Sequence, residues 1–356
     1  FALPKRGHFL FPGAISVGDL VVANISIPFT AIKEAGINVH LITDVPVLKA
    51  LQPRDPSAHK GSFGHVLVIG GSAGKTGAAA MAGYAALRTG AGLVSLTLPR
   101  SLSLAMETVF PEIMTIPLPE TEAQTLDISA LDIIRELLPQ MTVLVIGPGM
   151  TTHPSTSQLL REIIKISQVP TVVDADGLNG LADHLSLLET STAPLVLTPH
   201  PGEMSRMTGA PVSEIQSDRI GAAQRFSISH DVFLVLKGAR TVVSDPQGHA
   251  YINPTGNAGM ATAGMGDILS GMIGGLITQG GSLLESTTAA VYLHGLAGDL
   301  AVGKIGPLCL VATDLLANLP KAIKWVADCR TEVVGRKKIS NLHRFGEQDK
   351  SDNGAM

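Results

Sequence analysis

Cysteine, charge and aromatic residues are all scarce in this sequence. Its 356 residues include two cysteines, Cys309 and Cys329, which excludes the disulfide framework of a small secreted protein. We expect reduced thiols in a reducing compartment and predict a cytoplasmic location. Charged residues reach 16%, and the net charge is −4 with no long basic run inside the body of the chain. A nucleic-acid-binding surface is therefore not expected.

Long uninterrupted apolar runs are absent as well. The uncharged stretch 250–266 is broken by Asn253, Pro254 and Gly256, which a membrane span tolerates poorly, so the sequence predicts no transmembrane helix. Phe1 stands where an initiator Met is expected, and no apolar run of signal-peptide length follows it. We therefore expect no signal peptide and interpret the chain as part of a longer one.

Apolar residues and glycine are plentiful. Hydrophobic residues make up 45% of the chain and the mean hydropathy is +0.30, so a large core is available and global disorder is excluded. The length allows two domains, or one large α/β domain with additional segments. The 38 glycines cluster at the ends of short apolar runs, where they mark turns.

Strand-like and helix-like segments alternate along the chain. Short runs rich in Val, Ile and Leu predict strands buried on both faces at 66–69, 93–98, 143–146, 171–174, 195–198 and 233–236. Helix-length segments lie at 77–89, 129–138, 156–167, 213–229, 268–278 and 283–302. The alternation predicts an α/β fold with a mostly parallel central sheet and helices on both faces. Functional residues are then expected beyond the carboxyl ends of the strands.

Both ends of the chain fall outside this alternation. Residues 1–45 hold two apolar runs, 20–27 and 39–42, which are too little to fold alone. Residues 331–356 are polar, with few large apolar groups. We predict that this C-terminal segment is a disordered tail rather than a basic binding patch.

A first glycine-rich turn lies at 70–77. It follows a predicted strand and opens a helix, so its backbone N–H groups could hold a phosphate. A Walker P-loop is excluded, because Ile69 occupies the place of the first glycine that this motif requires. Two interpretations stay open with equal weight, a tight strand-to-helix turn and a ligand-facing loop.

A second glycine-rich segment, 256–267, runs straight into an apolar helix-length segment. Its glycines would let consecutive amides point at one anion. Asp267 stands at the mouth of the predicted helix, where it could cap the helix or accept a proton from a bound hydroxyl. The four glycines that precede it favour the second role.

The string Gly264-Met265-Gly266-Asp267 resembles the anion hole and base of ribokinase-like kinases. Seven further motifs appear in family order at 59–65, 70–77, 89–94, 146–149, 174–179, 198–204 and 236–241. Over about residues 50–325 the chain resembles the ADP-dependent NAD(P)H-hydrate dehydratases. The resemblance implies a ribokinase-like fold and a dehydratase domain spanning about 50–330.

The resemblance also implies roles for individual positions. Asp267 would be catalytic, together with the amides of Gly264 and Gly266. The positions that match adenine-nucleotide contacts are Lys237, Gly238, Ala239, Arg240, Thr241, Asn257, Gly259, Met260, Ala261, Thr262, Gly264 and Gly266. The positions that match contacts with the hydrated nicotinamide substrate are Ala78, Gly149, His200 and Asp267, in a strip that extends to Arg206.

The implied reaction removes water from the S form of hydrated NADH or NADPH at the expense of ADP. Phosphorylation of the hydroxyl converts a poor leaving group into phosphate, which lowers the elimination barrier. ADP or ATP would enter with Mg²⁺, and we expect no dedicated protein cage for the metal. The family also implies a homo-oligomer, and small molecules are the only other partners expected.

Several of these residues retain a structural interpretation beside the functional one. Lys237 could meet phosphate charge or be a solvated lysine at a strand end. His200 stands between two prolines and, without the resemblance, is as readily structural as functional. Asp174 and Asp176 follow a predicted strand and suggest a metal or ribose contact, although a turn-capping role for Asp176 is at least as well supported.

Two positions depart from the family pattern. Ala258 and Ala263 stand where many members have Pro and Gly. If the residue at 263 had to adopt a positive φ, its methyl group would carry strain and activity would suffer.

Residues 1–45 resemble the last part of the epimerase domain that precedes the dehydratase in bifunctional members. The body of that domain is absent from this sequence, so no epimerase activity is expected from these residues. Two other functions remain open for the chain. One is a ribokinase-like kinase that stops at a phosphorylated alcohol, and the other is a nucleotide-binding protein without catalysis.

Overall fold

The computed structural model describes residues 3–335, and for 329–335 the backbone alone. A ten-stranded sheet lies at its centre in the order β1-β10-β9-β8-β7-β6-β5-β2-β3-β4. The strands are β1 Val39–Leu41, β2 His65–Ile69, β3 Leu93–Pro99, β4 Met114–Leu118, β5 Val143–Ile146, β6 Thr171–Val173, β7 Leu195–Leu197, β8 Phe233–Leu236, β9 Val242–Ser244 and β10 Ala250–Ile252. Strand β9 is antiparallel to both neighbours, and every other pairing is parallel, which confirms the predicted mostly parallel sheet.

Sixteen α-helices accompany the sheet within the described residues. They are α1 Arg6–Phe9, α2 Gly13–Ser16, α3 Phe29–Glu34, α4 Asp44–Ala50, α5 Thr76–Arg88, α6 Arg100–Met106, α7 Leu131–Leu137, α8 Pro154–Ile166, α9 Asp176–Leu181, α10 Ser186–Thr190, α11 Pro201–Thr208, α12 Val212–Ser217, α13 Arg219–His230, α14 Met265–Ile277, α15 Leu283–Ile305 and α16 Ala312–Gly335. Between residues 3 and 335, none of them combines the length and the apolar character that a bilayer crossing requires.

The side chains of each central strand alternate between two hydrophobic cores. Val66 and Val68 of β2 pack with α5, α14 and α15 on one face of the sheet. Leu67 and Ile69 pack with α8, α11 and α13 on the opposite face. Since successive strand residues point to opposite faces, a continuous apolar run is what a sheet covered on both sides requires.

The six predicted strands are confirmed, each with its ends within one residue. Four further strands were not predicted as such: β1, β4, β9 and β10. Strand β1 lies in the apolar run 39–42 and pairs with β10, whereas the run 20–27 forms neither a helix nor a strand. The first segment of the chain therefore contributes one strand to the main sheet.

Two helix predictions need correction. The predicted helix 213–229 is two helices, because Asp218 leaves the helical conformation and its Oδ1 accepts a hydrogen bond from the Gly221 amide at 2.9 Å to cap α13. Helix α16 was not predicted at all. It reaches Gly335, so residues 331–335 of the segment predicted to be a disordered tail are helical, and the remainder of that segment lies outside the described residues.

Candidate functional site

A buried cluster of charged side chains lies beyond the carboxyl ends of strands β6 and β8. Lys237 follows β8, and its Nζ lies 2.7 Å from Asp174 Oδ1, directly after β6. The same ammonium lies 3.7 Å from Glu203 Oε2 on helix α11. The side chains of Lys237, Asp174 and Glu203 are 17%, 1% and 6% exposed, respectively. The cluster therefore lies at the carboxyl edge of the sheet, where the alternating pattern predicts functional residues.

Lys237 is a buried cation and not a solvated lysine at a strand end. Burial alone would lower its pKa, but the carboxylates of Asp174 and Glu203 outweigh this effect and raise the pKa above its ordinary value. The ammonium thus remains charged at neutral pH. It offers a fixed positive charge to an anionic ligand.

Asp174 has one satisfied oxygen and one that is not. Its Oδ1 accepts hydrogen bonds from Lys237 Nζ at 2.7 Å and from Thr198 Oγ1 at 2.7 Å. Its Oδ2 is buried with no hydrogen-bond partner among residues 3–335. A Cβ placed on Gly266 would lie 3.9 Å from this oxygen and 3.3 Å from Lys237 Nζ. The cluster therefore abuts the first turn of helix α14, and a buried carboxylate oxygen faces it without a partner.

Helix α14 begins at a glycine that its geometry requires. Gly264 is the N-cap residue with a φ of 89°, and a Cβ there would lie 2.8 Å from Ala312 Cβ and 2.8 Å from Met81 Cε. The amides of residues 265–267 precede the first intrahelical hydrogen bond, which the Ile268 amide donates to the Gly264 carbonyl at 3.1 Å. These amides and the positive end of the helix dipole favour an anion at residues 264–267, which we call the anion-binding turn.

Asp267 is the third residue of helix α14, so the N-cap position that a capping role would need belongs to Gly264. Burial, reinforced by the negative charge of Asp174, raises the pKa of Asp267 to about 7, although Lys237 opposes the shift. A carboxyl group with this pKa exchanges protons readily at neutral pH. Its location beside the anion-binding turn is the arrangement that proton removal from a bound alcohol needs.

Two predicted substrate contacts lie side by side, Gly149 on the loop after β5 and Ala78 in the first turn of helix α5. A Cβ on Gly149 would lie 3.3 Å from Ala78 Cβ and 2.5 Å from the Lys75 carbonyl oxygen, so glycine alone fits at this approach. Ser72 Oγ donates a hydrogen bond to the Gly149 carbonyl at 2.8 Å. The structure thus brings Ala78 and Gly149 together, with the first glycine-rich turn packed behind them.

His200 has a structural role at the start of helix α11. Its Nδ1 accepts hydrogen bonds from the amides of Gly202 at 3.0 Å and Glu203 at 3.2 Å. In return Glu203 Oε2 accepts the His200 amide at 2.7 Å, a reciprocal capping arrangement. Burial and the positive charge of Lys237 lower the pKa of His200, although Glu203 opposes them. A neutral imidazole thus lies half-exposed near the cluster, where it can also meet a ligand.

Asp176 ties two site loops together. Its Oδ2 accepts the Thr151 amide at 2.9 Å and lies 3.3 Å from Lys75 Nζ. Ala175 and Thr151 adopt φ values of 49° and 67°, a region that non-glycine residues rarely occupy. Such backbone strain concentrates at functional sites, where the surrounding contacts hold it in place. Asp176 thereby fixes the loop after β5, in line with the structural interpretation.

Arg240 connects the first predicted nucleotide strip to the segment that precedes the second strip. Arg240, with a φ of 58°, donates a hydrogen bond from its guanidinium to the Pro254 carbonyl. This contact joins the strip 237–241 to the segment that leads into the second glycine-rich loop. A cavity of about 380 Å³ opens beside Ala239 and is lined also by Phe11 and Arg219.

Within the second nucleotide strip, hydrogen bonds fix the side chain of Asn257, whereas later residues are more exposed to solvent. Asn257 Oδ1 accepts the Gly259 amide at 3.0 Å, and its Nδ2 donates to Asp299 Oδ1 at 2.8 Å. Gly259 and Met260 belong to a short 3₁₀ turn and are partly buried, whereas the side chains of Ala261 and Thr262 are exposed. Gly238 is exposed, Thr241 is partly buried, and Arg206 is exposed with its Nε 2.8 Å from Asn179 Oδ1.

Three residues of the site were given no role by sequence reasoning. Glu203 stood inside a quoted motif, and its capping of a helix could have been inferred from its spacing to His200. His294 and Asp299 lie in the middle of helix α15 and carry no turn or glycine-loop signal of their own. They contact the glycine-rich loop only because α15 packs against α14.

Comparison with known proteins gives a consistent result. A family model described as NAD(P)H-hydrate dehydratase matches residues 66–321. The chain is 47% identical over 326 residues to the bifunctional NAD(P)H-hydrate repair enzyme Nnr of Moorella thermoacetica, which covers 91% of this chain and 61% of that protein. It is 36% identical over 278 residues to the ADP-dependent (S)-NAD(P)H-hydrate dehydratase of Neisseria meningitidis serogroup B, covering 77% of this chain and 88% of that protein. The chain spans about six tenths of the length of the first bifunctional relatives.

Solved structures agree on the fold. The ADP/ATP-dependent NAD(P)H-hydrate dehydratase from Bacillus subtilis, co-crystallized with ATP/Mg²⁺, superposes with a TM-score of 0.71 at 30% identity, covering 81% of this chain and 99% of that one. A ribokinase-like superfamily protein from Enterococcus faecalis gives a TM-score of 0.69 at 24% identity, with 82% of this chain and 97% of that one covered. The predicted ribokinase-like fold is confirmed.

Proposed function

Because the chain belongs to the NAD(P)H-hydrate dehydratase family, we propose that it converts the S form of hydrated NADH and NADPH back to NADH and NADPH. In this reaction ADP is consumed and gives AMP and phosphate. The observation that carries the proposal is Asp267, a carboxyl group whose burial raises its pKa to about 7, in the first turn of an anion-binding helix. The reaction class is that of a hydro-lyase driven by a nucleotide.

The first step needs a base and a place for negative charge. Asp267 accepts the proton of the substrate hydroxyl, whose oxygen then attacks the terminal phosphoryl group of ADP, and AMP leaves. Negative charge spreads over the phosphoryl oxygens during this transfer. The amides at the start of α14, between Gly264 and Asp267, and the buried ammonium of Lys237 stabilise it.

The second step is elimination. The carbon–oxygen bond to the phosphate group breaks, the phosphate leaves with the bonding electrons, and loss of a proton from the neighbouring ring carbon restores the dihydronicotinamide. Phosphate leaves far more readily than hydroxide at neutral pH, so the energy of the nucleotide is used to improve the leaving group. The anion-binding turn serves this step as well, since it holds the departing phosphate.

Mg²⁺ bound to the nucleotide phosphates fits the carboxylates of this site. The buried Oδ2 of Asp174, which lacks a hydrogen-bond partner among the described residues, is an oxygen ligand of the kind that Mg²⁺ prefers. The ion would supply positive charge to the phosphates. Asp174 would hold it, together with phosphate oxygens and water.

The remaining contacts divide between the two ligands. We assign the nucleotide to the strips 237–241 and 257–266. The contact of Arg240 with the Pro254 carbonyl holds the first strip to the segment that precedes the second. We assign the hydrated nicotinamide to Ala78, Gly149, His200 and Asp267. The close approach of Ala78 to Gly149 supports this assignment, as does the half-exposed imidazole of His200 beside Lys237.

The test is spectroscopic. The protein mixed with ADP, Mg²⁺ and hydrated NADH is expected to restore absorbance at 340 nm, a property of the dihydronicotinamide. A stable phosphorylated product without recovery of this absorbance would instead indicate a kinase, and no reaction with either ADP or ATP would reject the proposal. Heat-denatured protein is the control for spontaneous conversion.

Three further parts of the proposal concern the whole chain. We propose that the segment 1–45 corresponds to the end of an epimerase domain, and the match of 91% of the chain to a bifunctional relative supports this proposal. The protein works in the cytoplasm, where the exposed thiol of Cys309 stays reduced.

The protein also forms a homo-oligomer, for which the exposed apolar side chains of Leu308 and Trp325 provide a surface. Size-exclusion chromatography with light scattering tests the last point, and a monomer would contradict it.

A further inference from the structure

One face of helix α15 lies against both ends of the second glycine-rich loop and against the segment that leads into it. Residues 291–292, 294–295 and 298–299 are three or four positions apart and therefore share a face of the helix. At the first of these turns the Val291 carbonyl accepts a hydrogen bond from Asn253 Nδ2 at 3.3 Å. The Tyr292 carbonyl accepts one from Thr255 Oγ1 at 2.8 Å. The helix backbone thus binds the segment that leads into the loop.

Two glycines on this face leave room for the loop. A Cβ on Gly295 would lie 2.2 Å from Thr255 Oγ1 and 2.8 Å from the Gly256 amide nitrogen. A Cβ on Gly298 would lie 2.3 Å from Met260 Sδ. At Gly295 such distances exclude a side chain unless the loop backbone moves away, whereas at Gly298 the side chain of Met260 would have to move. The loop therefore rests directly on the backbone of α15.

Asp299 binds the nucleotide side of the loop. Its Oδ2 accepts the Gly256 amide at 2.9 Å and its Oδ1 accepts Asn257 Nδ2 at 2.8 Å. Both are hydrogen bonds to a carboxylate, which are stronger than those between neutral groups. Through Asn257, whose Oδ1 accepts the Gly259 amide, the restraint extends into the 3₁₀ turn. Asp299 thus fixes the first part of the segment that we assign to the nucleotide.

His294 binds the opposite end of the loop. Its Nε2 lies 2.9 Å from the carbonyl oxygen of Met265, the first residue of α14. Because a carbonyl can only accept, Nε2 carries the proton. Burial lowers the pKa of His294 to about 4, so the ring is neutral at physiological pH. His294 therefore restrains the turn that carries Gly264, Gly266 and Asp267.

We propose that helix α15 holds the two ends of the glycine-rich loop by separate positioning residues, with separate consequences. Asp299 sets the affinity for the nucleotide, because it orders the part of the loop around Asn257. His294 sets the rate of the chemical step, because it orients the first turn of α14 and the carboxyl group of Asp267. This division rests on the proposed dehydratase function and deepens it.

The experiment compares matched pairs of variants in two independent assays. Titration calorimetry measures the Kd for ADP with Mg²⁺, and the 340 nm assay measures kcat. Asp299→Ala is expected to weaken ADP binding about 10-fold with kcat changed less than about 3-fold. His294→Leu is expected to lower kcat about 10- to 100-fold with the Kd changed less than about 3-fold.

Conservative variants and a control guard against simple unfolding. Asp299→Asn keeps one hydrogen-bond acceptor, so part of the ADP affinity lost in Asp299→Ala is expected to return. His294→Gln keeps a side-chain N–H donor, so part of the kcat lost in His294→Leu is expected to return. Thr288→Val removes a buried hydroxyl from the same helix, where it bonds the Leu284 carbonyl at 2.7 Å away from the loop. Both kcat and Kd of this variant should match the wild type. Thermal unfolding of each variant reports whether it is folded at the assay temperature.

The outcomes separate this proposal from the proposed function. Absence of any 340 nm recovery by the wild-type protein overturns the dehydratase function, and the ADP affinities of the Asp299 variants still test the first half of the division. Equal changes of kcat and Kd in the Asp299 and His294 variants would overturn the division. So would a His294→Gln variant as impaired as His294→Leu, since hydrogen bonding would then not be what the residue provides.

Discussion

The chain has two glycine-rich segments that each connect a strand to a helix, and their backbone amides have different surroundings. In the first, at 70–77, Gly71 donates its amide to the Pro148 carbonyl at 2.8 Å, and Ser72 Oγ bonds the Gly149 carbonyl. In the second, at 256–267, the amides of residues 265–267 precede the first intrahelical hydrogen bond of α14, and Asp267 has an elevated pKa. Glycine content alone does not distinguish a packing turn from a reactive one, whereas the partners of the amides do.

The largest effect is expected from Asp267→Asn. The variant keeps the size of the side chain but cannot accept the hydroxyl proton, so kcat is expected to fall about 10²- to 10⁴-fold. The affinity for ADP should stay within about 3-fold, because the amides that bind phosphate remain. The 340 nm assay and calorimetry measure the two quantities. Asp132→Asn, an exposed site far from the cluster, is the control, and unchanged turnover of Asp267→Asn would remove the residue from its assigned role.

The second prediction compares one glycine from each loop. Gly264 and Gly71 have φ values of 89° and 77°, and a Cβ would lie 2.8 Å from Ala312 Cβ at the first and 2.5 Å from Leu98 Cδ2 at the second. Each change to Ala is expected to cost about 1–3 kcal/mol of unfolding free energy, measured by urea denaturation. Gly264→Ala should also lower kcat about 100-fold, because the anion-binding turn moves.

Gly71→Ala is expected to keep kcat within about 3-fold once the folded fraction is accounted for, since its loop only packs behind the site. A loss of activity as large as that of Gly264→Ala would mean that the first loop also acts on a ligand. The contrast between the loops would then fail. Gly74→Ala, at a φ of 76° with nothing within 4 Å, serves as the control for conformational strain without a steric clash.

A smaller effect concerns pH. The pKa of Asp267 is raised to about 7 by burial in the folded protein, against about 3.9 in an unfolded chain. The folded state therefore binds this proton more tightly, and its contribution to stability is present below about pH 4 and is lost as the pH rises through about 7. Urea unfolding between pH 5 and 8 is expected to show the wild type losing stability relative to Asp267→Asn as the pH rises. Parallel curves for the two proteins would refute the elevated pKa.

The smallest effect is expected at Ala263, which departs from the family pattern. The positive φ of this turn belongs to Gly264, and Ala263 lies outside the left-handed region with an exposed side chain. Ala263→Gly should therefore change kcat by less than about 2-fold and stability by less than about 1 kcal/mol, through backbone entropy alone. A large gain of activity on this change would show that the alanine methyl group does hinder the anion-binding turn.

The sequence predicted the parts of the fold that have a local signal. Buried parallel strands such as β2 and β5 are continuous Val, Ile and Leu runs, and these were found to within a residue. Strands β9 and β10 have three residues each, too short to produce a pattern, and β1 is a strand only because β10 offers it an edge. Asp218 ends the predicted helix because its side chain caps the next helix, α13. Apolar periodicity contains no signal for such a cap.

Sequence reasoning likewise singled out only the site residues that have a local signal. Asp267 was singled out as a candidate because it follows a glycine-rich segment at the start of a predicted helix. Lys237 was singled out because it stands at the end of a predicted strand. The buried environment of Lys237 could not be inferred, since it depends on Asp174 and Glu203 from two other segments. His200 caps helix α11 because its imidazole Nδ1 lies within hydrogen-bonding distance of two amides, and its contact with the substrate stays a prediction. His294 and Asp299 stayed hidden within a regular helix.

The pairing of β1 with β10 bears on where the chain could be cut. Residues 39–41 lie ahead of the family-matched region, yet they complete the rim of the catalytic sheet, and the Ala250 amide bonds the Asn38 carbonyl at 2.8 Å. A shortened protein starting at residue 50 would leave β10 as an edge strand with unpaired N–H and C=O groups. Such an exposed edge favours self-association. The family match and the hydrogen bonds of the sheet thus place the start of the domain at different residues. A minimal enzyme should retain the residues from about 38 onward.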